Sequence, residues 1–194
     1  GLNLGAGKMD DGALIGAAIT DGGHDVMLFS DGGKAVRFDE QDVRPMGRTA
    51  RGVRGMRVLQ GQSLISLVVA KDPTQTVLTA TENGYGKRTP VSDYPRHGRG
   101  TQGTISIQAS ERNGKVVAAR LVAATDEVML ITTGGVLIRT RVAEIREMGR
   151  VTQGVTLIGL DAGEKLAGLE RVVETDDEGT TEVESDLPEG AGDD

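Results

Sequence analysis

Arginine is the residue type that carries chemistry in this sequence. Between Val43 and Arg57 stand Arg44, Arg48, Arg51, Arg54 and Arg57, with no acidic residue among them. The equivalent loop of a second copy holds Arg96, His97 and Arg99, preceded by Lys87 and Arg88, and a third copy holds Arg139, Arg141, Arg146 and Arg150. Cations at repeated positions suit a polyanion of regular spacing. Neutralising the phosphates of duplex DNA releases counterions whatever the base sequence, so sequence-tolerant duplex binding is the expected chemistry. The same atoms have a structural use. In the Gly-Arg pairs at 47/48, 98/99 and 149/150, glycine can take positive φ while arginine bonds loop carbonyls. Arg51, Arg54 and Arg57 are not repeated, so the fold does not require them. Arg37, Arg88 and Arg139 alternate with apolar neighbours, as on the outward side of a half-buried strand.

Catalytic chemistry finds little support. The two histidines, His24 and His97, sit in no spacing that suggests metal ligands or a triad and read as surface loop residues; His97 adds charge beside Arg96 and Arg99 at lower pH. Gly98 to Gly103 fits G-x-G-x-x-G letter for letter, but a strand follows instead of a helix, and the copies at 47 and 149 lose the middle glycine. Gly5-Ala-Gly-Lys8 resembles the end of a phosphate loop, yet Leu2 and Met9 stand where its first glycine and its hydroxyl should be. Cysteine is absent, which removes disulfides and thiolate zinc sites. Two Tyr, two Phe and no Trp leave no base-stacking platform. No catalytic residue, cofactor site or metal site is expected.

The elements that must position these arginines repeat every 51 residues. Gly47-Arg-Thr-Ala-Arg-Gly52 recurs as Gly98-Arg-Gly-Thr-Gln-Gly103 and Gly149-Arg-Val-Thr-Gln-Gly154, and the same step links Arg37, Arg88 and Arg139, then Gly33, Gly84 and Gly135, then Val26, Val77 and Val128. Each unit opens with an aliphatic strand (26–30, 76–81, 127–132), a Gly-bearing hairpin turn and a return strand (35–38, 87–91, 136–142). The Gly-Arg loop follows, and two further strands are expected to close the unit, Thr104–Ala109 and Val116–Val122 in the middle copy, Val155–Leu160 and Leu166–Val173 in the last. Ala13–Thr20 matches Ser63–Ala70 and reads as the end of a preceding unit. Four strands in about 50 residues is the size of a propeller blade. The expected fold is therefore all-β, a propeller-like array of four-stranded blades: 1–23 ending one blade, then 24–73, 74–124 and 125–173.

The net charge of −7 hides an asymmetry. Residues 174–194 hold ten of the 29 acids and no Lys or Arg, leaving 19 acids against 22 basic residues before them, a net of +3. A mildly basic body with an acidic, disordered tail points to a polyanionic partner and a built-in competitor, or to a tail that only aids solubility. No apolar run approaches a membrane span and no signal peptide is legible, so a cytoplasmic protein is expected.

Long strings in this chain resemble one family. Thr81-Glu-Asn-Gly-Tyr-Gly-Lys-Arg-Thr-Pro90 with the Gly98–Gly103 motif, and Met129-Leu-Ile-Thr132 with Ile138-Arg-Thr-Arg-Val142 and Gly149–Val155, resemble the C-terminal domain of the bacterial DNA gyrase A protein, of the type IIA topoisomerases. The likeness covers residues 1–173. It implies a β-pinwheel, a disc of normally six blades that exchange strands, of which this chain is a partial ring. It further implies a basic rim that wraps double-stranded DNA so that ATP-driven strand passage introduces negative supercoils. The implied partners are the rest of the gyrase A protein and the gyrase B protein, in a heterotetramer of two of each, in the bacterial cytoplasm at the nucleoid and with no membrane. ATP and magnesium are used elsewhere in that assembly, as is the cleaving tyrosine; Tyr85 and Tyr94 are not nucleophiles, and Tyr85 reads as a turn residue. The family's Gln-Arg-Arg-Gly-Gly-Arg-Gly box is missing here. Two other readings stand beside this one: the corresponding C-terminal domain of topoisomerase IV, and a propeller scaffold that docks acidic proteins.

Overall fold

A computed structural model describes residues 13–172; the acidic 174–194 segment lies outside the described residues. Within them the chain is all-β apart from three single-turn 3-10 helices. The strands are β1 (Asp25–Ser30), β2 (Lys34–Asp39), β3 (Leu64–Ala70), β4 (Thr76–Thr81), β5 (Tyr85–Pro90), β6 (Thr104–Ile105), β7 (Val116–Val122), β8 (Glu127–Thr132), β9 (Leu137–Arg141), β10 (Val155–Thr156) and β11 (Leu166–Val172). The hairpins β1–β2, β4–β5 and β8–β9 turn on Gly33, Gly84 and Gly135, with φ of 80°, 84° and 85°. Positive φ is one reason for glycine there. Space is another, since a Cβ on Gly33 would sit 2.5 Å from the Ile107 carbonyl oxygen and one on Gly84 2.6 Å from that of Ile158.

Three antiparallel sheets form, in the orders β3-β1-β2-β6, β10-β5-β4-β7 and β11-β8-β9. This corrects the expected closing of each unit. Thr104–Ile105 does not join its own unit but pairs with β2 of the unit before, Ala35 opposite Thr104 and Lys34 opposite Ile105. Val155–Thr156 likewise pairs with β5 through Gly86 and Tyr85. Each exchanged strand is two residues long, not six. The turn that delivers it rests on Gly103 and Gly154, where φ is 73° and 79° and a Cβ would fall 2.2 Å and 2.5 Å from the carbonyl oxygens of Ala35 and Gly86. Ala13–Thr20, which matches Ser63–Ala70 in sequence, does not form a strand as that stretch does in β3. Its counterpart β3 pairs with β1 of its own unit; the 13–20 stretch lies against β3, with Gly16 beside Leu67.

The core lies between the sheets. Met27, Phe29 and Val68 pack on Val77 and Ala119 of the second sheet and on Tyr94, which follows β5, where Phe29 and Tyr94 meet edge to face at 6.0 Å. Leu78 and Val122 pack on Val128, Leu130 and Leu169 of the third. Covered on both faces, β1 and β4 are buried along their whole length. β3 packs against β7, and β7 against β11, so the sheets converge on that edge and fan apart toward the other. The edge formed by β2–β6, β5–β10 and β9 is the rim. Among the described residues no helix is long and apolar enough to cross a membrane.

Candidate nucleic-acid interface

The rim is where the Gly-Arg loops lie, and much of its arginine is spent on joining blades. Arg37, expected to face outward, does not. Its side chain is only 12% exposed: Nε donates to Asp25 Oδ2 at 2.7 Å, and Nη1 donates to the carbonyls of Val91 and Tyr94, on the next unit, at 2.8 and 3.0 Å. Arg88 repeats this one unit on, with Nε donating to the Ile145 carbonyl at 2.7 Å. Arg139 is the exposed member of the column and pairs with Glu127, the counterpart of Asp25. A guanidinium has five donors and no acceptor, so two or three carbonyls can hold it in place.

The motif arginines clamp in the opposite direction. Arg99 donates from Nε to the Asp42 carbonyl at 3.0 Å and from Nη1 to the Arg54 carbonyl at 3.3 Å. Arg150 donates to the carbonyls of Asp93 at 2.6 Å and Ile105 at 2.9 Å, the same acceptor positions one step along. The reading of Gly-Arg as a fold device holds for these two arginines, but not for the glycine. Gly47, Gly98 and Gly149 do not take positive φ, and a Cβ added to any of them would meet nothing within 4 Å; positive φ falls on the last glycine of each motif, Gly52, Gly103 and Gly154, and on Gly100 within the second.

Lys87, expected among the rim cations, is instead fully buried. Its ammonium donates to the carbonyls of Gly149 and Arg150, both at 2.6 Å, and to Thr152 Oγ1 at 3.1 Å. Burial, with the Arg150 charge nearby, lowers its pKa to about 8. No phosphate can reach it while the blades stay packed. Its counterparts Val36 and Ile138 are apolar, so the sequence alone marks it only as the exception in its column.

The remaining cations are exposed. Arg96 bridges Asp25 at 2.6 Å and Asp39 at 3.3 Å. Arg141 stands 4.0 Å from Glu127 with its side chain 73% exposed. Arg146 is exposed, and its carbonyl takes the Arg88 N–H. Arg44, Arg48, Arg51, Arg54 and Arg57 are all exposed. Among the described residues no hydrogen bond or ion pair engages the guanidinium groups of Arg44, Arg48, Arg54 and Arg57. Backbone bonds from Gly100 N–H to the Gly55 carbonyl and from Arg57 N–H to the Thr101 carbonyl lay the second unit's motif beside this run.

Three further groups were not legible beforehand. Asp21, His24 and Glu40 come together, His24 Nδ1 lying 2.9 Å from Asp21 Oδ1 while Glu40 Oε1 accepts the His24 N–H at 2.6 Å. Tyr85 begins β5 and is no turn residue; the Arg112 guanidinium stacks 4.0 Å from its ring. Tyr94 is a core residue whose hydroxyl meets Ser106 Oγ at 2.8 Å, and burial raises its pKa.

Three consecutive segments, residues 24–71, 75–123 and 126–172, match the family described as DNA gyrase C-terminal domain, beta-propeller. The chain belongs to that family. This gyrase C-terminal domain chain is 54% identical over 187 residues to the DNA gyrase A protein of Pseudomonas aeruginosa, covering 94% of the chain and 19% of the relative. It is 49% identical over 185 residues to that of Escherichia coli strain K12, covering 94% and 21%. The chain thus spans about a fifth of the length of the curated relatives it matches. A solved gyrase A C-terminal domain superposes with a TM-score of 0.71 at 29% identity, over 77% of this chain and 51% of that one. The C-terminal domain of a topoisomerase IV superposes at 0.74 but is 22% identical, over 79% and 48%, a likeness of fold alone.

Proposed function

We propose that this gyrase C-terminal domain chain binds and wraps duplex DNA along its rim without regard to base sequence, with residues 24–73, 74–124 and 125–173 as the blades that present the surface. The observation that carries the reading is the run from Arg44 to Arg57: five exposed arginines with no carboxylate between them. Rim position follows from the exchanged strands, and membership of the gyrase family makes a phosphate backbone the natural polyanion. In this proposal the wrapped segment is handed to the remainder of the gyrase A protein and to the gyrase B protein, in a two-plus-two assembly in the bacterial cytoplasm. ATP and magnesium act there in strand passage, and this chain contributes no catalytic group.

Titrating a mixed-sequence duplex at rising salt tests the reading. Each phosphate neutralised contributes about −0.9 to the slope of log affinity against log salt, so several contacts give a steep slope. Equal affinity for duplexes of different base composition is expected. A flat salt dependence, or preference for an acidic protein of matched charge density, overturns the proposal and favours a protein-docking scaffold.

A further inference from the structure

The rim cations are not equivalent, and the structure sorts them by what already holds them. In the second unit the stretch corresponding to residues 43–57 is 94–108, with two arginines; Arg99 is bonded to two carbonyls and Arg96 to two carboxylates. In the third it is 145–159, again with two arginines; Arg150 is bonded to two carbonyls, which leaves Arg146, next to Glu147 in sequence, as the one exposed arginine of that stretch without a side-chain partner among the described residues. A guanidinium already satisfied by the protein gains less from a phosphate, because it must give up or share the bonds it has. In the first unit Arg48, Arg54 and Arg57 have no such partner among the described residues.

We infer that the first unit is the anchor of the DNA path: the Arg44–Arg57 segment grips the duplex, and the second and third units steer it with few phosphate contacts of their own. This deepens the duplex-binding proposal and rests on it. The spacing supports a grip on one stretch of backbone. Arg48, Arg51, Arg54 and Arg57 follow at steps of three residues. An extended chain advances at most about 3.3–3.6 Å per residue, so successive arginines lie no more than about 10 Å apart. Phosphates of one strand recur every 3.4 Å or so along the duplex axis, which places neighbouring arginines within reach of phosphates about three base pairs apart. From Arg48 to Arg57 the chain reaches at most about 30 Å, just under one helical turn of roughly 34 Å. The second unit's motif is held beside the run by Gly100 and Arg57, and Arg99 braces it by bonding the Arg54 carbonyl from the side.

Two triple variants of the full chain separate an anchor from an evenly shared rim. The first carries Arg48→Gln, Arg54→Gln and Arg57→Gln; the second carries Arg96→Gln, Arg141→Gln and Arg146→Gln. Both remove three positive charges. With a mixed-sequence duplex, the first is expected to flatten the slope of log affinity against log salt by about 2.7, at 0.9 for each lost contact, and the second by less than about 1. A Lys version of the first triple keeps the charges and should restore most of the slope, which excludes misfolding as the cause. Equal losses in the two triples, or a larger loss in the second, overturn the anchor while leaving duplex binding intact. Absence of salt-dependent binding in the unsubstituted chain sinks the functional proposal itself.

Discussion

Arg150 Nε lies 2.6 Å from the carbonyl oxygen of Asp93, 57 residues back in the chain and on the neighbouring blade. Arg99 makes the same bond to Asp42 at 3.0 Å, over the same separation. Strand-two arginines clip forward and motif arginines clamp backward, so each pair of blades is fastened from both sides. Arg150 is half-buried. Replacing it with Met strands two carbonyls that accept from a charged donor, and a loss of about 2 kcal/mol in unfolding free energy is expected from urea titration. Arg48→Met, at an exposed arginine without such bonds among the described residues, should stay within about 0.5 kcal/mol.

Lys87 gives the chain a pH dependence of predictable sign. Its pKa falls from 10.5 to about 8 because burial penalises the charged form. Between those values the unfolded chain holds a proton that the folded chain has released, so this group makes stability rise as pH rises through the window, and below about pH 8 the full cost of the buried charge remains. Tyr94 acts the other way above pH 10, where the unfolded phenol ionises first. Unfolding free energy measured from pH 8 to 9.5 should therefore climb relative to a Lys87→Met variant, whose missing amine removes this contribution. Parallel curves for the two proteins would rule the linkage out.

Glycines within one motif should differ sharply. Gly103→Ala forces a positive φ on alanine and drives its Cβ toward the Ala35 carbonyl oxygen, 2.2 Å away. A cost of roughly 1–3 kcal/mol is expected from the backbone alone, with loss of amide protection at Thr104 and Ile105 as β6 leaves β2. Gly98→Ala meets nothing within 4 Å and should be neutral within about 0.5 kcal/mol. Hydrogen exchange and thermal melting of the two variants read the difference.

The β9 edge predicts self-association. β2 and β5 are each covered by an exchanged strand, while among the described residues the third sheet has three strands and leaves Leu137 61% exposed, beside exposed Val136 and Ile138. An open, apolar strand edge templates pairing with another chain. Sedimentation at increasing concentration should show association of the unsubstituted protein, and Leu137→Lys should shift it toward monomer. Monomer at every concentration for both would remove the edge as a contact.

Local chemistry made the repeat, the hairpins and the family membership legible. Short aliphatic runs mark the first strands, Gly33 and Gly84 turn the chain at the expected places, and a 51-residue step is visible to anyone counting. The rest depended on choices that no local pattern records. Thr104 satisfies its pairing pattern equally well in its own unit or the one before, because the step between units makes the two registers identical; only the approach of Gly103 to Ala35 settles it. Lys87 and Arg54 are both cations in the sequence, yet one is closed over by the Gly149 loop and the other stands in solvent. A charge becomes available to a partner only if the fold has not already given it an acceptor, and acceptors 45 to 63 residues away are assigned by tertiary packing.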